Sequence, residues 1–171
     1  MLHIQRKRLI FSVFFLMFSL AAIWLLPRVL FLNFSSSIPR GLYLRVSSEQ
    51  LHVGDIVVYT PTDDVIIFMK ERGWLKENQE PMPFLKYVGG LFGDDYSTRN
   101  HSFWVNGNYV GEILVTDSKG QPLPQISGTH KVLEKSFLPL ASNPDGFDGR
   151  YTGCVPINRI IAKVIPIWVV N

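Results

Sequence analysis

Apolar and polar positions divide the chain at Pro27 into two regimes. From Leu9 to Leu26 runs LIFSVFFLMFSLAAIWLL, 18 residues with no charge and only two serines. That length is close to the ~20 residues an α-helix needs to cross ~30 Å of hydrocarbon, so the stretch predicts a membrane-spanning helix. From Gly41 onward the period shortens. GLYLRV alternates, DIVVYT is β-branched and apolar, DVIIFMK repeats that pattern, and SFWVNGNYVGEILV reads as two strands about Asn106-Gly107, a strong hairpin signal. Gly54-Asp55, Thr62-Asp63-Asp64, Gly93-Asp94-Asp95, Lys119-Gly120 and Asn143-Pro144-Asp145-Gly146 punctuate these runs as turns. The polar stretches 70–83 and 117–131 read as exposed loops. The last segment, NRIIAKVIPIWVV, predicts a closing strand pair or a second membrane contact; Arg159, Lys163 and Pro166 argue against a second span. The expected fold is mainly β, preceded by one N-terminal transmembrane helix.

Length and charge refine this picture. Once a span is subtracted from 171 residues, one domain of ordinary size is left. Arg6, Lys7 and Arg8 precede the apolar run and only Arg28 follows it closely, so the positive-inside rule keeps the N-terminus in the cytoplasm. The same pattern could be a cleaved secretory signal, but those have apolar regions of ~7–15 residues and a small-x-small cleavage site. Here the run is longer and Pro27-Arg28 follows it, which favours an uncleaved anchor. The expected divisions are a basic cytoplasmic terminus at 1–8, an anchor at 9–27 and a domain across the membrane at 28–171. A net charge of +3 comes partly from those first basic residues and suits a lipid bilayer as partner. With no basic stripe carrying interleaved aromatics, it gives no case for nucleic acid. The single cysteine, Cys154, can close no intramolecular disulfide and has no partner at metal-ligand spacing; it reads as a small buried apolar residue.

Three consecutive serines, Ser35 to Ser37, stand just beyond the anchor. By composition alone they would be a polar spacer. A hydroxyl nucleophile needs a base. His3 falls on the cytoplasmic side, and His52, His101 and His130 lie in polar, turn-like surroundings that suit solvated side chains. Lys86 differs, because PFLKYVGGLFGDD sets it among Phe84, Leu85, Tyr87 and Val88. Lowering a lysine from ~10.4 to roughly 7–8 costs ~3–5 kcal/mol, which desolvation can supply. The pattern equally fits an outward-facing lysine with a snorkelling stem, and the residues alone leave both readings open.

SSSIPRGLY, HVGDIVVYTP, FLKYVGGLFGD and GFDGRYTGCVP, in this order, together resemble the ordered boxes of the bacterial type I signal peptidases. The similarity is greatest to the conjugative-transfer branch, the TraF-type maturation peptidases. The resemblance implies a signal-peptidase-like antiparallel β catalytic domain with Ser37 as nucleophile and Lys86 as general base. It places the Ser35 hydroxyl and the Ser37 N–H in the oxyanion hole. It makes Asp148 a support that orients the lysine or holds the loop that buries it, with Arg150 bracing that aspartate. No metal or other cofactor is implied. The implied substrate is a membrane-inserted pilin or preprotein. In some members the pilin's own N-terminus resolves the acyl-enzyme and gives a cyclic product, and the conjugative transfer machinery is a further partner. The implied location is the bacterial inner membrane, with the catalytic domain periplasmic. A general type I signal peptidase and a non-catalytic, membrane-anchored assembly protein are the alternatives. A Ser-His hydrolase lacks its G-x-S-x-G turn here. Three positions depart from the family pattern: Tyr87 where arginine is common, Phe92 where proline is frequent, and Gly146 in the place of a supporting serine. Pro39 falls two residues after Ser37, the transfer-type spelling.

Overall fold

A computed structural model describes residues 2–47 and 50–170, with side chains from Arg6 onward except Leu9. Helix α1 (Leu2–Val29) contains a stretch of 24 residues, Arg6–Val29, whose most apolar 18-residue window has a mean hydropathy of 2.6, long and apolar enough to cross a membrane. At ~1.5 Å per residue it is about 36 Å long. Its described apolar side chains, Phe11, Phe14 and Phe18 among them, are mostly exposed. Strand β1 (Leu30–Asn33) follows without a linker, so the helix feeds the sheet directly.

Two antiparallel sheets make up the rest. The chain runs through β2 (Arg40–Val46), β3 (Ile56–Tyr59), α2 (Asp63–Glu71), β4 (Phe84–Leu91), β5 (Asp95–Arg99), β6 (Ser102–Val105) and β7 (Asn108–Glu112). It continues through β8 (Gly128–Lys131), β9 (Ser136–Leu140), α3 (Gly149–Thr152), β10 (Val155–Pro156) and β11 (Ile160–Val170). Seven strands lie in the order β1-β2-β11-β3-β4-β9-β10, and four in the order β7-β6-β5-β8. The whole of β3 is buried, which accounts for the unbroken apolar run in DIVVYT: a strand covered on both faces need not alternate. Ile56 and Val58 pack with Ile38, Tyr43, Leu85 and Val164; Val57 and Tyr59 pack with Val88, Phe137 and Val155. Gly41 permits a close backbone approach in this sheet, since a Cβ there would lie 2.1 Å from the carbonyl oxygen of Trp168 in β11.

The hairpin at Asn106-Gly107 forms as expected, with both residues at positive φ (49° and 76°), as its tight turn demands. Other expectations fail. DVIIFMK is not a strand but helix α2, and Thr62-Asp63-Asp64 is its start rather than a turn. Two carboxylates in its first turn and Lys70 in its last suit the helix dipole. Val65, Phe68 and Met69 fall at the i, i+3, i+4 spacing of one helical face, which outweighs the strand preference of its β-branched residues. The stretch 70–83 is not simply an exposed loop: Leu75 is buried, and Trp74 packs edge-on against Phe68 and Phe147 at 5.6 and 5.3 Å. The last segment is not a strand pair but one long strand. β11 carries Pro166 at an irregularity in its pairing with β2, where a missing N–H is tolerated. Cys154 is partly buried against Tyr96 and Tyr151 in the core beneath the four-stranded sheet.

Candidate active site

The loop between β1 and β2 carries the three serines and is pinned at both ends by the pairing of Asn33 with Gly41. Ile38 is its only fully buried apolar side chain, and it plugs into the core beside Tyr43 and Leu85, which turns Ser37 toward β4. There Ser37 Oγ lies 2.6 Å from Lys86 Nζ. Lys86 sits mid-strand in β4, opposite Val57 of β3, with Phe84 and Val88 on the same face by strand alternation. It is 3% exposed. Burial pushes its amine down from 10.5 to about 8; the charge of Asp148 pulls the other way, and that of Arg150 adds to the fall. A group held near 8 is substantially neutral at mildly alkaline pH and can take a proton from a hydroxyl.

Asp148 and Arg150 are both buried, and they form a two-pronged pair: Nε to Oδ1 at 2.9 Å and Nη2 to Oδ2 at 3.0 Å. The carboxylate also caps α3, accepting from the Arg150 N–H at 2.9 Å, and accepts from the Ala141 N–H at 2.6 Å. Nη2 also faces the carbonyls of Asn143 and Gly146, and Nη1 those of Pro144 and, at a longer distance, Glu112. The pair therefore shapes the segment 141–146. That segment in turn holds the serine loop, because the Ser142 N–H and hydroxyl donate to the Ser37 carbonyl at 2.8 and 3.2 Å. Among the described residues no hydrogen bond or ion pair joins Asp148 to Lys86; the aspartate reaches the lysine through its charge. Gly146, the departure from the family pattern, has a local reason. A Cβ there would stand 2.5 Å from that of Ala141 and 3.5 Å from Arg150 Nη2.

Ser35 and Ser36 point elsewhere. The Ser35 hydroxyl donates to Asn33 Oδ1 at 2.8 Å, and the exposed Ser36 hydroxyl accepts from Asn143 Nδ2 at 3.1 Å. The Ser37 N–H makes no hydrogen bond among the described residues. Asn33 is the residue that reading the sequence missed. Its one signal was a polar side chain closing the apolar strand LFLN, immediately before the serines.

Beside Ser37 and Lys86 opens a cleft of about 540 Å³, walled by Met69, Trp74, Leu75, Met82, Phe84 and Phe147. Helix α2 and the segment after it supply much of that wall. Phe68 stacks on Phe147 at 5.6 Å, tying the wall to the residue before Asp148. His52, His101 and His130 are exposed and absent from the cleft lining; the side chain of His3 lies outside the described residues.

The structure thus sets a serine hydroxyl against a buried amine, at the mouth of an apolar cleft and close to the end of a membrane-length helix. A family model described as signal peptidase, peptidase S26, matches residues 4–169. The chain belongs to that family and is a serine peptidase. Among solved structures it is similar to a signal peptidase I from Enterococcus faecalis V583, at 19% identity over 70% of this chain and 100% of that one, with a TM-score of 0.41. No curated protein matches it.

Proposed function

We propose that the chain is a single-pass membrane endopeptidase that uses Ser37 as nucleophile and Lys86 as base to mature a pilin precursor for conjugative transfer. The observation that carries the reading is the 2.6 Å contact between Ser37 Oγ and the amine of a lysine 3% exposed. Neutral Lys86 takes the Ser37 proton as Oγ attacks the scissile carbonyl carbon. The Ser37 N–H and the Ser35 hydroxyl receive the developing oxyanion. As the C–N bond breaks, Lys86 returns its proton to the leaving amine, and the acyl group remains on Ser37. Water then releases a linear product, or the pilin's own amine releases a cyclic one. Asp148 and Arg150 act at one remove, through the segment that holds the Ser37 carbonyl.

The transfer-type spelling, with Pro39 two residues after Ser37 and Gly41-Leu42-Tyr43 beyond it, supports a pilin over general preproteins. Residues 1–8 stay in the cytoplasm, 9–27 anchor the protein in the inner membrane, and 28–171 work in the periplasm beside the transfer machinery. Anchoring enzyme and substrate in one bilayer fixes the height of the scissile bond and raises its effective concentration. The test is to incubate the detergent-solubilised protein with the pilin precursor and weigh the product. Cleavage of the pilin in preference to an unrelated preprotein supports the reading, and a mass short by one water marks cyclisation. Equal cleavage of both favours a general signal peptidase, and no cleavage of either contradicts the account.

A further inference from the structure

The side chain of Asn33 makes more contacts than its place at the end of a short strand requires. It is 6% exposed. Its Nδ2 faces three carbonyl oxygens, those of Ser35, Ile38 and Pro39, at 3.1, 3.0 and 3.1 Å. Its Oδ1 accepts from the Ser35 N–H at 3.1 Å and the Ser35 hydroxyl at 2.8 Å. Ser37 lies inside the turn that these contacts close. An amide alone among the side chains offers two donor protons and an acceptor on one planar group. Aspartate would set a charge against three carbonyls, and alanine would take this donor from all three, leaving only, among the described residues, the Tyr43 hydroxyl on that of Pro39.

We propose that Asn33 is a positioning residue for both serines of the site. Its carboxamide fixes the turn that presents Ser37, and it holds the Ser35 hydroxyl aside until an oxyanion forms. This rests on Ser37 and Lys86 being the reacting pair and Ser35 an oxyanion donor. A hydroxyl has one proton, and Ser35 spends it on Asn33 Oδ1. A neutral substrate carbonyl offers that proton nothing better than the amide already does. An oxyanion offers a charge-assisted bond roughly twice as strong. The hydroxyl therefore turns toward the substrate only as charge develops, and Asn33 Oδ1 keeps its bond from the Ser35 N–H. Such an interaction is made in the transition state and not in the ground state, so it acts on kcat and leaves KM alone.

Two experiments test this. In the first, kcat and KM are measured on one pilin precursor for Asn33→Ala, Ser35→Ala and the double variant, beside Ser37→Ala. The expected result is a kcat loss of about tenfold or more for Asn33→Ala with KM nearly unchanged. Ser35→Ala, which by itself costs ~10²-fold or more, should cost much less when Asn33 is already alanine, because the pair acts as one unit. Strictly multiplicative losses, or a normal kcat for Asn33→Ala, overturn the proposal. The second needs no variant that must fold: a crystal structure of the unmutated protein carrying a peptide boronate as a tetrahedral adduct on Ser37. The Ser35 hydroxyl should have left Asn33 Oδ1 for the adduct oxygen while the Nδ2 contacts persist. A hydroxyl still on Asn33 sinks the idea. If instead Ser37→Ala retains turnover, it is the reading of the reacting pair that fails.

Discussion

Lys86 and Lys131 are both strand lysines, and the protein treats them oppositely. Lys131 ends β8, an edge strand of the four-stranded sheet; its side chain is 70% exposed and meets Asp95 at 2.9 Å. Lys86 lies in β4, between β3 and β9 in the interior of the seven-stranded sheet, where it is 3% exposed and its amine falls to about 8. The first is an ordinary solvated cation. The second is a buried amine 2.6 Å from the Ser37 hydroxyl, the base of the proposed mechanism. Position within the sheet makes the difference: an inner strand removes water from both sides of the side chain, and no carboxylate stands within ion-pairing distance among the described residues to restore the charge.

The largest expected effect is at that contact. Ser37→Ala and Lys86→Ala should each abolish pilin processing, whereas Ser36→Ala, whose hydroxyl faces Asn143, should keep most of it. A Ser36 variant as damaged as the Ser37 variant would move the nucleophile. Next comes the buried pair behind the site. Arg150→Ala leaves the Asp148 carboxylate buried without its partner, and denaturant unfolding should show a loss of ~3–5 kcal/mol. A loss under ~1 kcal/mol would mean that solvent reaches Asp148 after all.

Lys86→Met sharpens the comparison from the side of stability. The amine is harder to protonate folded than unfolded, so its burial costs stability at neutral pH. That cost shrinks as pH rises from about 8 toward 10.5, where the unfolded chain also gives up its proton. The inactive methionine variant should thus be more stable at pH 7, by on the order of 3 kcal/mol, and its advantage should fade in alkali. An advantage that does not depend on pH would show that the penalty at Lys86 does not come from its protonation. Smallest of all, Lys131→Ala should change unfolding by less than ~1 kcal/mol and leave turnover unchanged, because its ion pair is exposed.

The sequence pointed to Ser37 and Lys86, which the structure brings within 2.6 Å, more readily than to what holds them. Ser37 and Lys86 stand in boxes whose order identifies them, but no local pattern tells which way Lys86 faces. That depends on β3, β4 and β9 meeting from distant parts of the chain. Helix α2 was misread because Val65, Ile66 and Ile67 favour strands locally; the partner that rewards a helical face, Phe147, lies about eighty residues on. Trp74 and Leu75 looked like part of a polar loop for the same reason. The contact of Asp148 with Arg150 was implied by the resemblance of GFDGRYTGCVP to the family's last box, though the path from that pair to Ser37 passes through Ser142, which no motif marks. Asn33 was invisible because its partners are backbone carbonyls, and these carry no sequence signature.

The most direct test of a lysine base is single-turnover cleavage of the pilin precursor across pH 5–10, for the unmutated protein and for its histidine-to-alanine variants at positions 52, 101 and 130. Lys86 works when neutral, so the rate should climb with pH as one proton leaves, half-maximal near the value of about 8 that burial imposes, and the curve should be the same in all three variants. A limb centred at the ~6.5 of an ordinary histidine, lost when one of those histidines is removed, would contradict the pairing of Ser37 with Lys86.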